Sequence, residues 1–285
     1  MHYDSYISKF NELLALRDLT ANTIRSYSSM LHSYFQWIDA HLAKPPEAVS
    51  FEEIRLYLAY LKQDKKLDNR SINAHISQLA FLHRYVLHMP WDKYEVPFKK
   101  FNSKLPHVLT QKQAHCFINS ITDLRQKACV ALLYSAGLRV SEVRHLKPAD
   151  IHRKDMRLYI SCSKSRSDRY AVLSKKALDI LTRYWYTYRP KEWLFPGRDP
   201  SKPVSGTCIG SFIAKHKRYL NWDTPVTAHT FRHSFGTHLY EQGYDLVKIQ
   251  KLLGHKSISS TLLYVHLSTR SISEIVSPFD REVDT

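Results

Sequence analysis

Glycine is scarce in this sequence: seven occur among 285 residues. Tight hairpins and left-handed turns draw on glycine, so a chain this poor in it can build few of them. Helices are then expected to dominate, and the apolar spacing agrees. Ile24, Tyr27, Leu31, Tyr34, Phe35 and Ile38 recur at helical intervals behind Thr20, a side chain suited to an N-cap. Lys44-Pro45-Pro46 breaks the chain. A second helix is expected from Phe51 to Lys62, with Ile54, Tyr57, Leu58 and Leu61 on one face. A third starts near Ser71, carries Ile72, Ile76, Leu79, Leu82 and Val86, and is ended by Pro90.

The stretch 97–109, PFKKFNSKLPHVL, is basic, holds two prolines and lacks periodicity. It divides the chain into a helical unit at 1–98, a linker at 99–105 and a second unit at 106–285. Thr110 caps a new helix there, and Ala128 to Leu138 reads as a buried one. Met156 to Cys162 and Arg169 to Leu173 alternate in the manner of strands around the polar turn 163–168. The expected fold is mainly α, in two domains, the second mixed but mostly helical with a small β-sheet or hairpin.

Lys and Arg total 42 against 26 Asp and Glu, a formal net charge of +16. Such an excess points to a polyanion: nucleic acid first, an anionic membrane surface second. The basic residues run through the whole chain, which favours a folded protein wrapping DNA over a globule with one sticky arm. No window approaches the roughly 18 apolar residues of a membrane span, and the first ten residues lack signal-peptide architecture. Cys116, Cys129, Cys162 and Cys208 stand far apart without metal-ligand spacing, so reduced, mostly buried thiols of a cytoplasmic protein are expected.

Cutting a phosphodiester without metal or nucleotide makes definite demands. Guanidiniums must clamp the non-bridging oxygens, a hydroxyl must attack in line, and an acid must protonate the leaving sugar oxygen. Arg139 follows Gly137, a natural left-handed helix end, and Ser141 can cap the next short helix with Glu142 in its first turn. Lys164 sits in the hairpin turn. His229, Arg232 and His233 share a helix face at i, i+3 and i+4. Gly254 ends a short helix, leaving His255 at its exit, and Tyr264 follows nine residues later. Each has a plainer reading: a surface arginine, a solvated lysine, a structural or zinc-binding histidine pair, a core tyrosine. Against zinc, Thr230 stands where a metalloprotease helix carries Glu.

Taken in order, Arg139, Lys164, His229-x-x-Arg232, His255 and Tyr264 resemble the catalytic signature of the tyrosine recombinase, or phage integrase, family. Arg139 lies in a GLR-x-S-E block. Lys164 precedes Arg169 by five residues, as the family's hairpin lysine precedes a hairpin arginine. HTFRHSFGTHL matches the H-x-L-R-H box, with Phe231 in place of Leu, and LLGH precedes the tyrosine. Ser163 and Ser165 flank Lys164 where the family commonly has glycine. Asn22 to Tyr27 resembles the opening of the family's SAM-like core-binding domain.

The resemblance implies roles. Arg139 and Arg232 clamp the scissile phosphate. Tyr264 attacks to form a 3′-phosphotyrosyl bond, eased toward deprotonation by nearby cations. Lys164 is the general acid. His229 and His255 hydrogen-bond the phosphate or assist proton transfer, with Glu142 and His233 supporting them. No ATP, metal or other cofactor is implied, in keeping with the lack of a P-loop motif. The implied partner is double-stranded DNA, embraced by a C-shaped clamp of both units. A tetramer forms on two sites, its tail residues Ile272, Ile275, Val276 and Phe279 packing on a neighbour. DNA-bending proteins are candidate accessories, and no membrane is involved. The alternatives are a catalytically inactive DNA-binding protein of the same fold and a type IB topoisomerase-like relaxing enzyme.

Overall fold

The computed structural model describes residues 3–101, 105–161 and 168–268. Lys164, Cys162 and the tail positions Ile272, Ile275, Val276 and Phe279 lie outside them. Two compact units follow one another, Met1–Ser103 and Lys104–Thr285.

The first unit is helical. It contains α1 (Asp4–Ala15), α2 (Ala21–His41), a 3-10 turn at Pro46–Ala48, α3 (Phe51–Gln63) and α4 (Asn69–Phe81), which runs on into a π turn, Leu82–Val86. The Thr20 hydroxyl accepts from the Thr23 amide, and Ser50 and Glu53 cap each other at the start of α3. Helix α4 begins earlier than its apolar pattern, because Asp68 accepts from the Ser71 amide at 2.7 Å. The helical run stops at Val86, ahead of Pro90. Phe10, Leu31, Tyr34, Ile38, Ile54, Tyr57, Ile72 and Leu79 meet in the core. Helix α1 is not among the expected helices; it seals that core with Phe10 and Leu14.

The second unit is built around α6 (Leu124–Ser135), in which Ala128 through Leu133 are buried on every side. Packed on α6 are α5 (Gln111–Ser120), α7 (Val140–Arg144), α8 (Lys175–Tyr188), α9 (Gly206–Tyr219) and α10 (Ala228–Glu241). Helices α11 (Leu246–Leu253) and α12 (Ser259–Leu267) close the described chain. With α10 they enclose a small separate cluster of Phe235, Ile249, Leu253 and Tyr264.

The expected small β-sheet is present, and two other expectations need correction. The hairpin is two strands of a three-stranded antiparallel sheet, β1 (Ile151–His152), β2 (Arg157–Ile160) and β3 (Arg169–Val172), with Leu158 opposite Ala171. Strand β1 is two residues long, too short to leave an alternation. Ser141 does not cap α7; Arg139 holds the cap position and its amide donates to Glu142 at 2.8 Å. Of the described cysteines only Cys129 is buried, while Cys116 and Cys208 are exposed. The inward positions of α5 and α9 are filled by Ala114, Phe117, Ile118, Ile209 and Ile213, which turns positions 116 and 208 outward. No helix among the described residues is long and apolar enough to cross a membrane.

Candidate active site

The site is organised by the end of α11. Gly254 takes φ 62° and stops the helix, leaving its last carbonyls without partners inside it. Three arginines from distant parts of the second unit supply them. Leu253 O accepts from Arg232 Nη2 at 2.6 Å and from Arg139 Nη1 at 3.3 Å. Gly254 O accepts from Arg139 Nη2 at 3.1 Å, and Leu252 O from Arg169 Nε at 2.9 Å. Arg232 Nη1 also reaches Gly137 O at 2.6 Å, at the left-handed end of α6, where Gly137 has φ 60°. The partial negative charge of a helix C-terminus favours cations there.

Glu142 is the counter-charge. Its Oε1 accepts from Arg139 Nη1 at 2.8 Å and from Arg169 Nη1 at 2.9 Å. Its Oε2 accepts from the Arg139 amide at 2.8 Å and from Arg169 Nη2 at 3.0 Å, and lies 3.6 Å from Arg232 Nη1. Burial alone would raise this carboxyl, but Arg169 and then Arg139 override it and hold it down to about 2. Burial pulls Arg232 down to about 10, which leaves it charged at neutral pH. Among the described residues, the Nε atoms of Arg139 and Arg232 have no protein acceptor.

Imidazoles and a phenol complete the group. His229 and His233 lie on α10 with ring centres 6.3 Å apart. Tyr264 lies 6.2 Å from the His233 ring and 6.0 Å from His255, whose ring is tilted by 24°. His255 Nδ1 and Thr261 Oγ1 are 2.9 Å apart. Burial, followed by neighbouring positive charge, lowers His255 to about 3; burial, His229 and Arg232 lower His233 to about 4. His229 is lowered by burial, Arg232 and Arg139. All three are therefore neutral at pH 7.

Tyr264 is fully buried and its hydroxyl has no hydrogen-bond partner among the described residues. The expected easing of its deprotonation by arginine is present but outweighed: burial raises the phenol to about 12 while Arg232 and Arg139 pull it the other way. Its chamber is not purely apolar, since histidines and two guanidiniums stand around it.

Arg139, Glu142, His229, Arg232, His233, His255 and Tyr264 are thus brought to one place from α6 to α12. The sequence marks Arg169 only as the arginine after the hairpin lysine and attaches no role to it. Its partners lie 27 and 83 residues away. The only sequence signal was its position at the first residue of the returning strand.

Residues 107–270 match the phage integrase family, and residues 6–93 match the phage integrase N-terminal SAM-like domain. The protein y4qK of Sinorhizobium fredii, classed with the integrase/recombinases, is 37% identical over 95% of this chain and 87% of its own length. The tyrosine recombinase XerD of Chlorobaculum tepidum is 30% identical over 94% of this chain and 93% of its own. The Tn1549 transposon integrase, solved with circular intermediate DNA, has a TM-score of 0.74 at 16% identity, over 94% of this chain and 96% of that one. The chain belongs to the phage integrase family and is a tyrosine recombinase.

Proposed function

We propose that this protein is a site-specific recombinase that cuts and rejoins double-stranded DNA through a 3′-phosphotyrosyl bond, without ATP or metal. The observation that carries the reading is the shared Leu253 carbonyl. It holds Arg139 and Arg232 side by side, each with an Nε donor to spare, beside the cluster containing Tyr264. Two such guanidiniums match the geometry of a phosphate's non-bridging oxygens and the extra charge of its transition state.

In this reading the Tyr264 oxygen attacks phosphorus, the bond to the sugar 5′ oxygen breaks, and that oxygen leaves as a hydroxyl with a proton from Lys164. The phenolic proton passes to His255 or to the phosphate-bound histidine His229, both neutral at pH 7 and able to accept it. The bond energy is kept in the phosphotyrosine, so a 5′-hydroxyl of a second duplex can reverse the step and complete strand exchange. Duplex binding must draw Tyr264 from its sealed position before attack. The first unit, the linker at 99–105 and the second unit are assigned to gripping the duplex, with four protomers on two sites.

The test uses a nicked duplex carrying the protein's site, obtained by enriching bound duplexes from a random pool. Cleavage releases a short fragment that diffuses away and traps the covalent intermediate. A protein–DNA adduct that survives denaturant and disappears in Tyr264→Phe is the expected result. An adduct that persists in Tyr264→Phe overturns the assignment of the nucleophile.

A further inference from the structure

Arg169 touches every part of the clamp's support and has no place in the mechanism above. It starts β3, holds both oxygens of Glu142, and donates Nε to the Leu252 carbonyl at the end of α11. Its side chain also lies against Gly254, where a Cβ would come within 3.0 Å of Arg169 Cδ. Its side chain is 9% exposed, so the ion pair with Glu142 is largely shielded from water.

The arrangement has a consequence for the phosphate. Glu142 is a buried carboxylate surrounded by three guanidiniums, and it competes with the scissile phosphate for them. Arg169 occupies one face of the carboxylate with two parallel hydrogen bonds, the strongest geometry available to the pair. Arg139 is then left with a single side-chain bond to Glu142, and Arg232 stays at 3.6 Å, bonded instead to carbonyls. Without Arg169, Glu142 would regain two accepting positions in a dry setting, and the nearest donors are those of the clamp.

We infer that Arg169 is a positioning residue for DNA cleavage: it saturates Glu142 and pins the end of α11, so that Arg139 and Arg232 keep their free donors turned to the phosphate. This rests on the recombinase reading and adds a residue to it. Burial would raise the Glu142 carboxyl once Arg169 is gone, with Arg139 and Arg232 the remaining charges facing it.

The experiment is a double-mutant cycle on the full-length protein. Single-turnover adduct formation on the nicked duplex, duplex affinity and thermal melting are measured for wild type, Arg169→Gln, Glu142→Gln and the double variant. A displacement of the clamp of about an ångström predicts a loss on the order of 100-fold in adduct rate for Arg169→Gln, while duplex affinity holds. The double variant, which removes the unbalanced carboxylate, should form adduct faster than Arg169→Gln. Where Arg169→Gln fails to fold, Arg169→Lys takes its place, because one ammonium keeps the charge and loses the two-point grip. Arg169→Gln at the wild-type rate, or a double variant no faster than it, overturns the inference and leaves the recombinase reading standing. A wild-type protein that forms no adduct overturns both.

Discussion

The phenolic end of the Tyr264 ring lies over Gly236: a Cβ built on that glycine would come within 2.4 Å of Tyr264 Cζ. Gly236 sits in the interior of α10, where glycine costs roughly 1 kcal/mol relative to alanine. Its presence there makes room for the ring. Gly236→Ala is therefore expected to lower stability despite better helix propensity, by about 1–3 kcal/mol for overpacking. The displaced phenol should titrate closer to the ordinary tyrosine value. Denaturant unfolding and ultraviolet titration of tyrosine read both effects, and an unchanged pair of curves would show that the ring does not depend on this seat.

Tyr264→Phe should move stability and activity in opposite directions. The buried hydroxyl has no partner among the described residues, and such a group costs about 1–3 kcal/mol. Phenylalanine keeps the ring contacts and removes that cost. Without DNA the variant should unfold at equal or higher denaturant than wild type, while forming no adduct. Clear destabilisation would mean that the hydroxyl has a partner, such as an ordered water.

Much of the clamp was legible because it obeys local rules. Gly137 announced a left-handed helix end and Gly254 the end of a short helix, and the i, i+3, i+4 spacing of His229, Arg232 and His233 put them on one helix. Resemblance to a known signature then joined segments that periodicity could not connect. What stayed hidden depended on tertiary placement. Nothing local tells that Arg169 reaches Leu252 or that Tyr264 is sealed. Helix α1 was itself legible, since Tyr6, Ile7, Phe10, Leu13 and Leu14 recur at helical spacing and all pack into or against the core.

Glu142→Ala tests the counter-charge by removing it outright. Three guanidiniums would then face one another with only carbonyls and water to stabilise them. Removing one partner of a buried ion pair typically costs about 3–5 kcal/mol. The variant should melt well below wild type at pH 7, and added sulfate should restore part of the loss by filling the anion's place. A melting temperature that is unchanged, or insensitive to sulfate, would argue that the arginines do not depend on this carboxylate.

His83, in the first unit, should govern acid sensitivity there. It is 2% exposed, neither ring nitrogen has a partner among the described residues, and its ring forms a triangle with those of Phe51 and Trp91, at 6.1 and 5.1 Å. Burial lowers it to about 4 from 6.5. Above pH 6.5 neither the folded nor the unfolded chain binds this proton. Between 6.5 and about 4 the unfolded chain binds it and the folded chain does not, so stability falls as pH falls. At pH 5 the loss amounts to about 2 kcal/mol. His83→Phe keeps the aromatic stack and cannot titrate. Hydrogen exchange of the α3 and α4 amides, followed from pH 7 to pH 5, should accelerate less from loss of stability in His83→Phe than in wild type, once the intrinsic pH dependence is divided out. The second unit, which keeps His233 and His255, should respond alike in both proteins. Equal acid sensitivity of α3 and α4 in the two proteins would assign the effect to another group.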